Sequence, residues 1–207
     1  MQSGGPDYKI PLGRRDSLTF ATRNEALANL PPPTSNTSAI ITSLATKNFD
    51  PTDVVALSGG HTIGISHCTS FTPRLYPNQD PTMDQTLANN LKDVCPTGNS
   101  TNTTVMDIRS PDLFDNKYYV GLMNRQGLFT SDQDLYTDER TRGIVTSYAV
   151  NQTLFFEKFV VAMIKMGHLS VLTGTQGEIR GNCSAINSGT STTLSILEEE
   201  QKGWSDF

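Results

Sequence analysis

Asp53-Val54-Val55-Ala56-Leu57-Ser58-Gly59-Gly60-His61-Thr62-Ile63-Gly64-Ile65-Ser66-His67-Cys68 is the stretch from which the rest of the chain is read. It begins as a helix. Asp50 suits the N-cap, Pro51 the first helical position, and Asp53 the positive end of the helix dipole. The apolar run stops at two adjacent glycines, which let backbone or a flat ligand come close. His61 follows at once, and neutral imidazole is the commonest metal ligand. A core histidine satisfied by one hydrogen bond is the other reading of a lone His, and the commoner one.

Ala56-Leu57-Ser58-Gly59-Gly60-His61-Thr62-Ile63-Gly64 resembles the proximal haem-ligand signature of secretory plant (class III) haem peroxidases. The resemblance implies that His61 Nε2 ligates haem iron and that Thr62 helps to hold a calcium ion beside it. A zinc site from His61, His67 and Cys68 is the weaker alternative, because their spacing matches no common zinc pattern.

Working outward toward the N-terminus, Gly and Pro punctuate residues 1–17 and rule out a long helix there. Gly13-Arg14-Arg15-Asp16 reads as a turn with charge pairing. Gly4-Gly5-Pro6 followed by Pro11-Leu12-Gly13-Arg14-Arg15-Asp16-Ser17 is similar to the same family. Asn29-Leu30-Pro31-Pro32-Pro33 is a rigid extended stretch, since each Pro fixes φ and lacks an N–H. By itself it is a linker between helices, and by resemblance Pro31 stands at the haem edge, where small aromatic donors rest. Thr37 to Lys47 is a short amphipathic helix with Ile40, Ile41 and Leu44 on one face.

Toward the C-terminus, Met83 to Val94 is helical and Cys95 ends it. The family pairs the positions of Cys68 and Cys95. Asp107-Ile108-Arg109-Ser110-Pro111-Asp112-Leu113-Phe114-Asp115 is a turn rich in oxygen ligands. It is either a solvated acidic turn or part of a set of six to eight calcium oxygens. The family's proximal calcium loop resembles it, which implies Thr62, Asp107, Ser110, the Leu113 carbonyl and Asp115 as ligands. Met106 stands where the family commonly has an aromatic, which implies a looser proximal pocket.

A helix from Asp115 to Arg125 ends at Gly127, a good C′ residue. Asp132 is one more carboxylate until the family's Ser-Asp-Gln motif is matched to Ser131-Asp132-Gln133. That match implies that Asp132 accepts a hydrogen bond from His61 Nδ1–H, fixing the tautomer and making the imidazole a stronger ligand. Asp138 to Val150 and Thr153 to Met166 are two more helices. In the second, Phe155, Phe159, Met163 and Met166 form a stripe read as core. Leu172 to Cys183 resembles the family's closing motif. Residues 188–207 are rich in Ser and Thr, then acidic, and are expected to be a mobile, disordered tail.

Composition limits the alternatives. At 207 residues the chain can bury a real core. A net charge of −5 gives no electrostatic footprint for nucleic acid. No apolar run approaches the ~20 residues of a membrane span. Five N-x-Ser/Thr sequons, at Asn36, Asn99, Asn102, Asn151 and Asn182, favour a secretory route. Residues 1–6 nevertheless lack the basic start and apolar region of a signal peptide. Three cysteines leave one thiol unpaired in an oxidising compartment.

The expected architecture is mostly α: residues 1–187 as the proximal, C-terminal part of the plant haem-peroxidase fold, with few short strands. The expected cofactors are haem b and calcium. The resemblance implies a secreted enzyme, extracellular or vacuolar and monomeric. It would reduce hydrogen peroxide while oxidising small phenolic donors, in hydrogen peroxide catabolism and the response to oxidative stress. None of the three histidines, His61, His67 and His168, sits in a distal-helix motif, so the expectation is an N-terminally truncated form. Peroxide cleavage needs a distal general acid–base and a group for the developing charge. The alternative expectation is therefore a catalytically impaired haem-binding remnant.

Overall fold

The computed structural model describes residues 3–187; the expected tail, 188–207, lies outside the described residues. Among the described residues the chain is mostly helical, with two short strands. The helices are α1 (Arg23–Ala28), α2 (Thr37–Ala45), α3 (Pro51–Ser58), α4 (Gln85–Val94), α5 (Lys117–Met123), α6 (Thr130–Thr137), α7 (Glu139–Val150) and α8 (Gln152–Gly167). The strands β1 (Ile65–His67) and β2 (Thr103–Val105) pair antiparallel, with Ile65 opposite Val105 and His67 opposite Thr103. The described part of the chain divides into two compact units.

The first unit, residues 3–11 and 23–169, holds all eight helices. Its main core gathers Val54, Val55, Tyr119, Leu122, Leu135, Val145, Tyr148, Phe155 and Ala162 from α3, α5, α6, α7 and α8. Phe155 is fully buried, but Met166, read as core, is 40% exposed at the last turn of α8. The stripe there has rotated past the core; Ala162 occupies the inward position instead. Gly59 is needed where α3 meets this core: a Cβ would lie 2.2 Å from Tyr119 Oη and 2.5 Å from a Phe155 ring carbon.

A second cluster gathers Phe71, Leu75, Met83, Leu87, Leu91, Leu128 and Phe129 around the Cys68–Cys95 disulfide. Both sulfurs are fully buried, and the bridge spans 27 residues. Closing a loop of that length stabilises by about 3.5 kcal/mol on the chain-entropy account. Cys68→Ser with Cys95→Ser should lower the unfolding free energy by about that amount in urea titrations.

Among the described residues, the second unit contains 12–22 and 170–187. Here Asp16 exchanges backbone hydrogen bonds of 2.8 Å with Glu178, and Arg15 N donates to Leu172 O at 2.9 Å. The Arg15 guanidinium donates to the carbonyls of Gln176 and Gly177, and Arg180 lies 3.9 Å over the Phe20 ring. The expected charge-paired turn is thus a pair of bridges to the closing segment. Gly177 has φ +62°, and a Cβ there would lie 2.2 Å from Asp16 O. Cys183 is exposed and free.

Candidate functional site

The first helix to consider is α3, because it carries His61 into place. Asp50 and Asp53 cap it reciprocally: Asp50 Oδ1 accepts from Asp53 N at 2.9 Å, and Asp53 Oδ2 accepts from Asp50 N at 3.1 Å. Lys165 of α8 also donates to Asp53 Oδ2, which pins the helix start. The helix then tightens into a 3-10 turn, Gly59–Thr62, on which His61 stands. No heavy atom lies within 4 Å of where a Gly60 Cβ would be, so the backbone beside the ring is open.

His61 Nδ1 lies 2.7 Å from Asp132 Oδ1, across 71 residues of sequence. The His61 side chain is 38% exposed, and that of Asp132 is 3% exposed. Burial by itself would lower the imidazole pKa. The charge and hydrogen bond of Asp132 outweigh it, so the ring sits above its ordinary value. Two aromatic rings stand edge-on to the imidazole: Phe129 at 5.4 Å and Tyr118 at 6.2 Å between centroids. With Nδ1 engaged, Nε2 is left at the opposite edge of a partly exposed ring. That is the arrangement of a metal-ligating imidazole with its carboxylate partner.

Asp132 belongs to α6, an element that the sequence reading did not recognise as a helix. Its Oδ2 accepts from Phe129 N at 2.9 Å, so the carboxylate caps the start of its own helix. Gln133, 2% exposed, braces the same turn: its Oε1 accepts from Gly127 N at 3.1 Å and its Nε2 donates to Leu122 O at 2.9 Å. Tyr118 Oη donates to Asp132 Oδ1 at 2.9 Å. Burial first, and then the Asp132 charge, pushes the Tyr118 phenol well above its ordinary value, so the proton stays on Tyr118.

Arg74 is the other residue that sequence reasoning left without a role. Its side chain is 3% exposed. Nε donates to Asp80 Oδ2 at 2.8 Å, Nη2 to Thr82 Oγ1 at 3.2 Å, and Nη1 to the carbonyls of Gly127, Leu128 and Phe129 at 2.5, 3.0 and 3.1 Å. One guanidinium thus fixes the chain that enters α6. The sequence offered an Arg and an Asp six residues apart, and nothing that joins either of them to the entry of α6.

Beside His61, five oxygens from two stretches converge. Thr62 Oγ1 lies 3.4 Å from each of Asp107 Oδ2, the Leu113 carbonyl and Asp115 Oδ1. Ser110 Oγ lies 2.9 Å from Asp115 Oδ1 and 3.5 Å from Asp107 Oδ2. Thr62 has one proton and cannot donate to three acceptors at once. Burial raises the Asp107 pKa; the Arg109 N–H opposes it and the Asp115 charge adds to it, leaving the carboxyl above its ordinary value. Converging oxygens of this kind, two of them on mutually repelling carboxylates, suit a hard cation. The set has only two carboxylates, and among the described residues no three His, Cys, Asp or Glu side chains gather as a metal cluster.

Pro31 is half-buried. The run to which it belongs reaches the start of α6, where Ser131 N donates to Pro33 O at 3.0 Å. Thr37 N, four residues after Pro33, donates to Asp134 Oδ2 at 2.6 Å. Among the described residues no helix is long and apolar enough to cross a membrane.

Comparison with known proteins bears on this site. The sequence model described as Peroxidase matches residues 1–151. Peroxidase 12 of Arabidopsis thaliana is 70% identical over 197 residues, covering 95% of this chain and 54% of that protein. Cationic peroxidase SPC4 of Sorghum bicolor is 54% identical over 201 residues, covering 95% and 56%. Peroxidase 54 of Arabidopsis thaliana is 44% identical over 199 residues, covering 92% and 55%. The chain spans about half the length of the curated relatives that it matches.

Proposed function

Because the chain belongs to the peroxidase family, we propose that it carries the proximal half of a haem b site, in which His61 Nε2 is the iron ligand. The protein is read as an enzyme that reduces hydrogen peroxide while oxidising small phenolic donors. The observation that carries this reading is the 2.7 Å contact between His61 Nδ1 and a nearly buried Asp132, on a ring whose other edge is partly open.

The residues suit the group. A flat macrocycle needs close approach beside its ligand, and Gly60 leaves that space free. When bound, haem supplies the redox centre that exchanges electrons with peroxide and donor. The protein's own part is orientation and charge. Asp132 holds the proton on His61 Nδ1 and keeps Nε2 free to ligate. By accepting that hydrogen bond it also makes Nε2 more basic, which favours oxidised iron. Phe129 and Tyr118 keep the imidazole from turning.

Thr62, Asp107, Ser110, the Leu113 carbonyl and Asp115 are proposed to hold calcium. The ion would neutralise Asp107 against Asp115 and lock Thr62, the neighbour of His61 in the same 3-10 turn. Pro31 is proposed as a contact for phenolic donors, since its run is held against the start of α6. A secreted location, extracellular or vacuolar, is proposed from the five sequons and the disulfide.

The test is peroxide-dependent oxidation of a small phenol by the haem-loaded chain and by His61→Ala loaded in the same way. Oxidation above that of free haem in the first and not in the second is expected. Equal rates in the two, both above free haem, would contradict the role given to His61. Rates at the free-haem level in both would favour the impaired haem-binding reading over the enzyme.

A further inference from the structure

We infer that Tyr118 is a positioning residue that sets how strongly Asp132 draws on the His61 Nδ1–H. The inference rests on the reading of His61 as the iron ligand and gives that ligand a tuning device. Asp132 is 2% exposed and receives three donors. Oδ2 takes the Phe129 N–H, while Oδ1 takes both His61 Nδ1–H at 2.7 Å and Tyr118 Oη–H at 2.9 Å. Two donors on one oxygen divide its charge, and each weakens the oxygen as a base toward the other. The phenol therefore limits how far the imidazole shifts toward imidazolate.

The geometry keeps the phenol in place. Tyr118 is 4% exposed, and its ring packs edge-on against Tyr119 at 5.1 Å and against His61 at 6.2 Å. A buried tyrosine hydroxyl needs an acceptor, and here the acceptor is the carboxylate of the site. The adjacent Tyr119 sends its hydroxyl elsewhere, to the backbone carbonyl of Val55 at 2.9 Å. Of these two successive tyrosines of α5, only Tyr118 reaches the carboxylate partner of His61 Nδ1.

The experiment compares the unsubstituted chain, Tyr118→Phe and Tyr119→Phe. In the haem-loaded proteins the readout is the iron reduction potential. In the haem-free proteins it is the NMR shift of the His61 Nδ1 proton. Tyr118→Phe should favour ferric over ferrous iron about threefold, a potential lower by about 28 mV at about 59 mV per tenfold. It should also move the Nδ1 proton downfield, as the remaining hydrogen bond shortens. Tyr119→Phe, which removes an equally buried hydroxyl, should move neither. A more acidic fluorinated tyrosine at position 118 keeps the donor and should move both readouts the opposite way. It serves if Tyr118→Phe does not fold. Readouts that do not respond at position 118, or that respond in the reverse sense, overturn the inference. Failure of the chain to take up haem through His61 would remove the parent reading. The proton shift in the haem-free chain would still judge the coupling of Tyr118, Asp132 and His61.

Discussion

Arg74→Ala should lower the unfolding free energy by about 3 kcal/mol at pH 7, the lower end of the cost of breaking a buried ion pair. The lower end applies because the Asp80 side chain is 22% exposed, so water recovers part of its charge. The larger consequence is structural. Three carbonyls, of Gly127, Leu128 and Phe129, lose their common donor. They form the entry to α6, three to five residues before Asp132. Gly127 cannot relax freely, because even a Cβ there would lie 2.8 Å from Leu122 Cδ2. The carboxylate that holds His61 should therefore lose its alignment, and haem affinity should fall with stability.

The same substitution carries a pH signature. Burial would raise the Asp80 pKa, but hydrogen bonds from Thr82 and Arg74 outweigh it and hold the carboxyl below 3.8. A depressed carboxyl contributes stability above its unfolded pKa and loses it as pH falls through the folded value. The penalty of Arg74→Ala should then shrink below pH 3.8. Urea titrations at neutral and acid pH would read the difference. A penalty that does not change with pH would separate the Arg74 carbonyl contacts from its ion pair as the source of the effect.

Calcium should raise the unfolding free energy by about 4 kcal/mol when its free concentration is about a thousandfold above the dissociation constant. For a chain of this size that is a rise of roughly 10 °C in midpoint temperature. The reason lies in the two carboxylates. Without a cation the buried Asp107 and the partly buried Asp115 repel each other, and the Asp107 carboxyl sits above its ordinary value. With one, the five oxygens acquire a common partner. Asp107→Asn gives a sharper form of the prediction, because its sign changes. In chelator it should unfold at the same or a higher temperature than the unsubstituted chain, since a repulsion is gone. In calcium it should unfold lower, since a ligand charge is gone. A midpoint indifferent to calcium in both proteins would exclude the cation from this turn.

Much of the architecture was legible from periodicity and caps. Asp50-Pro51 marked the start of α3, the apolar face of α2 and the stripe of α8 stood out, and Met83 to Val94 read as helical. α6 did not, because Thr130-Ser131-Asp132-Gln133-Asp134 shows no apolar period. That helix is held by tertiary contacts: Arg74 at its entry, Gln133 on Leu122, and Asp134 on the Thr37 N–H. The short first helix, α1, has no buried residue and so gave no pattern. The approach of Asp132 to His61 cannot be read from local spacing, since it joins residues 71 apart. The resemblance alone implied it. Arg74 and Tyr118 show the remaining limit. A single Arg or Tyr does not reveal its partners until the chain has closed around it.

The measurement that tests the account most directly is a haem titration of the purified chain with calcium present, followed in the Soret band beside His61→Ala. Saturable uptake at one haem per chain is predicted, with a Soret shift that His61→Ala loses. A shift retained in full by His61→Ala would contradict His61 as the iron ligand. So would the absence of specific uptake by a chain that unfolds cooperatively and is therefore folded.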